Sequence, residues 1–536
     1  MRSFVCTPWL ALLLVACGSP DDPQPPDAGS DPVDASSPID AARIDAALAD
    51  AAIADAAIAD GAIFDAASAD AGRDAAGSDA GPTLPPIERC DVAPATPFAH
   101  HADAWGYELV PSVIAPHEAF YVEVTTPPGT VTSVTLDSPS ARLRSDDGFI
   151  FRDDGVEPDR AAGDGISVLG PLWFEGDPSV VLLEPLDDVG FVDIGRITAH
   201  LPGGTQRQPL IGPMLGVLLS DLRRDAEVTS DHHAATDHVL ETCTSGWKVQ
   251  MALRSFAYGM LESVVAPAYA LVEDDVDHWV FLSTQHLEAT DAASTIQNYA
   301  AGRHLLVWNE ATGTAMGRVD GRSEWGSTAL RSVSVIDHGT RGIYAGNVTH
   351  EIVHTWSAFV DTSLGLSDGA HYSPRSSVGS LVGGFAWDPA PGGGFTRNCD
   401  EGRNGATRAS PLDLYFMGLL PASSVPTMRI MPSDVPLPGC DAPIPTPHRE
   451  VTVGQIIAAH GPVTPGPGAA PTHYRVGFAV EVAGRRLTPV ERAFYHRLAE
   501  AYTAPVTGDP PLVGFNWSSI ARFFPGSEWT SALSLR

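Results

Sequence analysis

Alternation of apolar and polar positions dominates the chain between residues 87 and 205. Phe120-Tyr121-Val122-Glu123-Val124 and Val131-Thr132-Ser133-Val134-Thr135-Leu136 flank Pro127-Pro128-Gly129, a strand, turn, strand pattern. Shorter runs at 148–152, 166–174, 179–184 and 194–200 continue it. Farther on the period changes. Leu330 to Ile336 reads as a strand, Gly342 and Gly346-Asn347 interrupt it, and Val348, Ile352, Val353 and Phe359 take up helical spacing to about residue 360. Two segments obey neither period. Residues 1–16 place Arg2 ahead of an apolar run from Trp9 to Ala16, too short for a permanent membrane span and suited to an export signal. Within 17–86, Asp recurs at 40, 45, 50, 55, 60, 65 and 70. A five-residue step turns about 140° around a helix axis, so the aspartates circle it and leave no stripe to bury. That segment is predicted to be a solvated linker, roughly 45 Å end to end as a flexible coil.

Charge sharpens the division. The 536 residues carry a formal net charge of −34, but residues 18–86 alone hold 14 Asp against two Arg. The excess therefore belongs in large part to the linker, and the folded remainder is only moderately acidic. A chain without clustered Lys and Arg is not built to neutralise phosphates, which excludes a nucleic-acid partner. The strand spacing over 87–205 suits an all-β sandwich of immunoglobulin-like type, acting as a spacer or exosite, and 206–536 is expected to be a second, α+β domain. Asp153-Asp154-Gly155, Asp159 and Gly163-Asp164-Gly165 resemble a loop of Ig-like modules in secreted bacterial proteins. Such a loop can bind Ca²⁺, although Asp and Gly are also ordinary turn formers. With Cys6 in the signal and Cys17 at its boundary set aside, Cys90, Cys243, Cys399 and Cys440 allow two disulfides in three pairings. Cys399–Cys440 with Cys90–Cys243 is the favoured set, because the first closes a Pro/Gly-rich excursion and the second ties the two domains.

The chemistry centres on His350-Glu351-Ile352-Val353-His354. Residues four apart share a helix face, so both imidazoles reach one ion, and the intervening glutamate falls beside a metal-activated water as general base. His371, 17 positions past His354, is the expected third ligand, with Asp361, Asp368 and Glu401 as rivals. Tyr372 and Tyr415 are candidate stabilisers of an oxyanion. Met417 beside Tyr415 reads as a floor beneath the metal or as plain core. His232, His233 and His238 form a polar loop cluster expected to be solvated.

Two resemblances add expectations. The motif resembles the zincin class of metallopeptidases, which implies Zn²⁺, a helix under a small sheet, a third ligand from downstream, and a protein or peptide substrate. The likeness extends over about 245–536 through Asp274 to Val280, Trp325-Gly326-Ser327, the Asp368-to-His371 stretch and Leu412 to Leu419. It departs from the metzincin pattern, since Ser357 and Val360 stand where that pattern has Gly and His. Leu14-Val15-Ala16-Cys17 resembles the lipobox of bacterial lipoproteins, which implies acylation of Cys17 and a lipid-anchored place in the cell envelope, on the outer membrane by the Gly18-Ser19 that follows. The combined expectation is a tethered zinc endopeptidase; the alternative is a surface binding or adhesion lipoprotein with a non-catalytic zincin-like domain.

Overall fold

A computed structural model describes residues 14–16, 82–92 and 104–536, less 147, 158, 160, 177, 179–182, 187, 210–211, 256–257, 289–301, 338–339, 341–346, 403–408, 440–441 and 505–519. Cys17, the linker to residue 81 and the expected Cys399–Cys440 bridge lie outside the described residues, as does the side chain of Glu401.

Strands outnumber helices, and the first body is wholly β. Trp105–Val110 (β1), Phe120–Thr125 (β2), Leu143–Ser145 (β3) and Ile166–Phe174 (β4) build one antiparallel sheet. Val189–Asp193 (β5) and Met214–Leu218 (β6) pair in another. Inward side chains such as Tyr107, Val122, Leu169, Val192 and Leu215 meet in one core, as period-2 alternation requires. The last of these strands lies past residue 205, so the sheets extend beyond the expected boundary. Pro209, Gly212 and Pro213 punctuate residues 206–213 as a turn would, which hid β6 from a reading of local pattern.

The second body is a mixed sheet covered on both faces. Its centre is parallel: Val239–Thr244 (β7), His278–Ser283 (β8), Ser332–Ile336 (β10) and His473–Ala483 (β11), with β11 between β7 and β8 and β10 outside β8. Gly302–Leu306 (β9) runs antiparallel to β10, and Leu14–Ala16, within the segment expected to leave with the export signal, lies along its outer side. Alternate residues of β8 sort to opposite faces. Trp279 and Phe281 pack with Lys248–Ser255 (α1) and Gly259–Ala268 (α2), through Val249, Leu253 and Val265. Val280 and Leu282 face Asn347–Val353 (α3) and Pro489–Thr503 (α5), through Ile352 and Phe494. Burial on both faces explains the unbroken apolar run Trp279 to Leu282 in β8. A short helix, Pro411–Phe416 (α4), starts at Ser410 with a reciprocal cap to Asp413 and packs Leu412, Tyr415 and Phe416 inward. Among the described residues no helix is long and apolar enough to cross a membrane.

Three ties join the bodies. Gln285–Glu288, immediately after β8, leaves the second sheet and pairs antiparallel with β1. Cys90 and Cys243 are disulfide-bonded, with Cα atoms 6.6 Å apart, the pairing expected for them. Arg485, fully buried, donates to Glu491 at 2.8 and 2.9 Å and to Glu108 at 3.2 Å, while Ser112 N–H and O–H donate to Glu491 at 2.8 and 2.9 Å. Burial alone would raise Glu491, but the guanidinium outweighs it and holds the carboxyl below its ordinary value.

Candidate metal centre

The helix α3 puts Val348 and Ile352 against the sheet, and residues two positions on lie about 200° around the axis. His350 and His354 therefore face away from the sheet, His354 still fully buried. The helix stops sooner than its apolar spacing predicts. Regular α-helix ends at Val353 instead of about 360, and His354, Thr355 and Trp356 continue in tighter turns that bond back three residues. Ala358 at φ 79° then reverses the chain. Leu366 to Ser373 folds back, and Asp368 accepts hydrogen bonds from the N–H groups of Ala370 and His371 at 2.8 and 2.7 Å. This small turn carries the imidazole of His371 to the pair on α3.

The three rings lie close together: His350 to His354 and His354 to His371 have centroids 5.1 Å apart, and His350 to His371 5.4 Å. One nitrogen from each falls within 4.8 Å of the other two. A tetrahedral zinc with bonds of about 2.0–2.1 Å needs nitrogens roughly 3.3 Å apart, a contraction that small rotations of three rings supply. His350 Nδ1 lies 3.1 Å from the carbonyl oxygen of Leu381, so that nitrogen donates and Nε2 is left as the donor to an ion. Burial first, then the imidazoles of His350, His371 and His304, push His354 well below the ordinary histidine value. It is neutral at physiological pH, as a ligand must be. The residues present fit Zn²⁺.

Glu351 is fully buried beside this cluster. Its carboxyl abuts β9: a Cβ placed on Gly302 would come within 2.5 Å of Glu351 Oε1. Gly302 thus leaves the space the carboxylate occupies, a role that a lone strand glycine does not announce in sequence. His304, two residues along β9, bonds Ser334 Oγ at 3.1 Å and Thr355 Oγ1 at 3.3 Å, and burial lowers it to about 3. It buttresses the turn that follows His354.

The other proposed site residues fall elsewhere. Asp361 caps the short turn Thr362–Leu364 by accepting from Ser363 N–H, and Asp368 is occupied with its own loop. Tyr372 is enclosed in the core at 1% exposure, where burial and then the charge of Asp413 raise its phenol. Tyr415 is buried with Met417 in the same core and its oxygen accepts from Val463 N–H at 3.2 Å. Both tyrosines are packed into the core here, Tyr372 at 1% and Tyr415 at 5% exposure. His233 is buried and bonds the Val264 carbonyl at 3.2 Å, His232 is exposed, and His238 meets His496. In the Asp153, Asp159 and Asp164 loop, one carboxylate oxygen from each falls within 4.8 Å of the other two, and the same carboxylates accept backbone N–H groups of Gly163, Gly165, Gly155, Ala161 and Ile166 as turn formers do.

Comparison of the chain with family models, with curated proteins and with solved structures finds no match to any of them.

Proposed function

We propose that the protein is a zinc-dependent endopeptidase, exported and held to the cell envelope by a lipid on Cys17. The reading rests on one observation: three neutral-capable imidazoles from a helix and a returning loop converge within 4.8 Å of one another, with the carboxylate of Glu351 on the intervening helical turn. Zn²⁺ bound there supplies a Lewis acid for the scissile carbonyl and makes water acidic enough to deprotonate near neutral pH. Glu351, walled by β9, takes that proton at its carboxylate and delivers it to the departing amine nitrogen. Its burial excludes bulk water from the carboxylate. His350 is orientated by the Leu381 carbonyl, and His371 by the Asp368 turn, so neither has to be ordered when substrate arrives.

Glu351→Gln is the decisive variant. The expected outcome is one zinc retained at the centre and casein or peptide hydrolysis reduced by at least about a thousandfold; undiminished hydrolysis would remove Glu351 from the mechanism. The complete burial of Glu351 also favours a second reading, a binding lipoprotein whose metal is structural. That reading predicts full zinc occupancy in the wild type with no hydrolysis of peptide, ester or amide probes.

A further inference from the structure

Histidines also converge far from α3. Asp237 and His238 occupy the tight connection between His233–Ala235 and β7, and His496 projects from α5. One donor atom from each lies within 4.8 Å of the other two. The rings of His238 and His496 meet edge to face with centroids 4.5 Å apart, closer than any pair of rings at the first centre.

What surrounds these rings fixes which nitrogens are offered. His238 Nδ1 is 2.6 Å from Ser531 Oγ, which leaves Nε2 free to turn toward an ion. His496 Nδ1 faces Asp237 Oδ1 at 3.5 Å, and its Nε2 faces Glu500 Oε1 at 3.6 Å. A carboxylate behind one nitrogen of an imidazole whose other nitrogen points at a donor cluster orients a metal-bound histidine once it closes to hydrogen-bond length, a step of a few tenths of an ångström from 3.6 Å here. Thr236 completes the setting: its hydroxyl lies 3.3 Å from His496 Nδ1 and accepts the N–H groups of His238 and Val239, so the loop is already shaped. Arg224 contacts Asp237 too, and Glu227, 2.9 Å from the same guanidinium nitrogen, gives it a partner when a cation takes the aspartate.

We propose that Asp237, His238 and His496 form a second divalent-metal site, with Glu500 and Ser531 as orienting partners. Two imidazoles and one carboxylate select a borderline transition ion such as Zn²⁺ over Ca²⁺ or Mg²⁺. The ion ties α5 and the segment after Glu528–Thr530 to the start of β7, so its effect falls on the stability of that end of the chain rather than on peptide hydrolysis.

The test counts zinc in chelator-stripped, reloaded full-length protein by plasma mass spectrometry. Wild type is expected to hold two zinc ions per chain, and His350→Ala/His354→Ala one. Adding His238→Gln and His496→Gln to that double variant is expected to leave none, while His238→Gln/His496→Gln alone keeps one. Glu500→Gln keeps the ligands and is expected to weaken zinc binding at this site about 10- to 100-fold. A thermal unfolding scan with and without zinc follows each variant, and the His350→Ala/His354→Ala protein is expected to retain a zinc-dependent rise in midpoint. One zinc in wild type that disappears with His350 and His354 overturns the second site. One zinc that persists without those residues and disappears with His238 and His496 supports it and overturns the first.

Discussion

Gly302→Ala tests the catalytic reading while every ligand and the general base keep their identity. The added Cβ would stand 2.5 Å from Glu351 Oε1 and 2.7 Å from its Cγ, where ordinary contact begins at 3.4 Å. The carboxyl must therefore move by about 0.9 Å, and the stem with it. Glu351 is 0% exposed, so the displacement has no solvent gap to enter. Alanine is otherwise tolerated in a strand better than glycine, and the strain of fitting one methyl into a packed site is about 1–3 kcal/mol. A 1 Å error in a catalytic group costs on the order of 100-fold in rate. In a fluorogenic casein assay kcat/KM should fall by about that factor, with zinc content unchanged and a cooperative unfolding transition retained. If the variant holds its zinc and cleaves at a rate within threefold of wild type, Glu351 is not the base that β9 positions.

Other perturbations separate the site from the scaffold. His371→Ala should keep the fold and lose most zinc from the first centre, read by equilibrium dialysis against a competing chelator; unchanged affinity would exclude His371 as a ligand. Arg485→Ala leaves Glu491 and Glu108 buried without their cation and should cost about 3–5 kcal/mol in urea unfolding, whereas a loss under 1 kcal/mol would show the cluster to be hydrated. His286 gives a pH dependence. Burial pulls its imidazole down, but Asp337 and Glu288 at 3.0 and 2.8 Å outweigh it and raise it to about 9. The folded state then holds a proton that the unfolded chain releases near 6.5. Stability is full below about pH 6.5 and declines as pH rises through 9, by up to roughly 3 kcal/mol. Denaturant midpoints that stay level between pH 6 and 9.5 would contradict this.

The candidate centre was legible where it depended on short spacing. His350 and His354 share a face because they are four apart, and that survives even though the helix ends at Val353. Its overestimated length came from Phe359, whose apolar character fits the helical period but lies beyond Ala358, where the backbone reverses. His371 could be placed near the pair because 17 residues suffice for a chain to leave and return and imidazole is a common zinc ligand, while Asp361 lay too far along a continuing helix. What the sequence did not show is how the aspartates are occupied, by hydrogen bonds to turn amides. Contributions from distant strands were not readable at all. Gly302 matters only because β9 lies beside α3, and His238 and His496 meet only because α5 packs along β7. Tyr372 and Tyr415 mislead for a related reason, since a phenol near a motif in sequence is as easily drawn into the core as aimed at substrate.

The crossing of Gln285–Glu288 from one body into the other's sheet makes separation of the two costly. A fragment that stops after β6 would leave one side of β1 with unpaired N–H and C=O groups, a template for joining with another copy. A fragment that begins after β6 would strand Gln285–Glu288 without a partner, along with a half-exposed cluster around His286. The β body therefore behaves as a graft whose rootstock supplies its final strand. Its geometry relative to α3 is inherited from β8, three residues upstream of that crossing strand's centre, and a substrate gripped by one body would be presented to the other at a fixed angle.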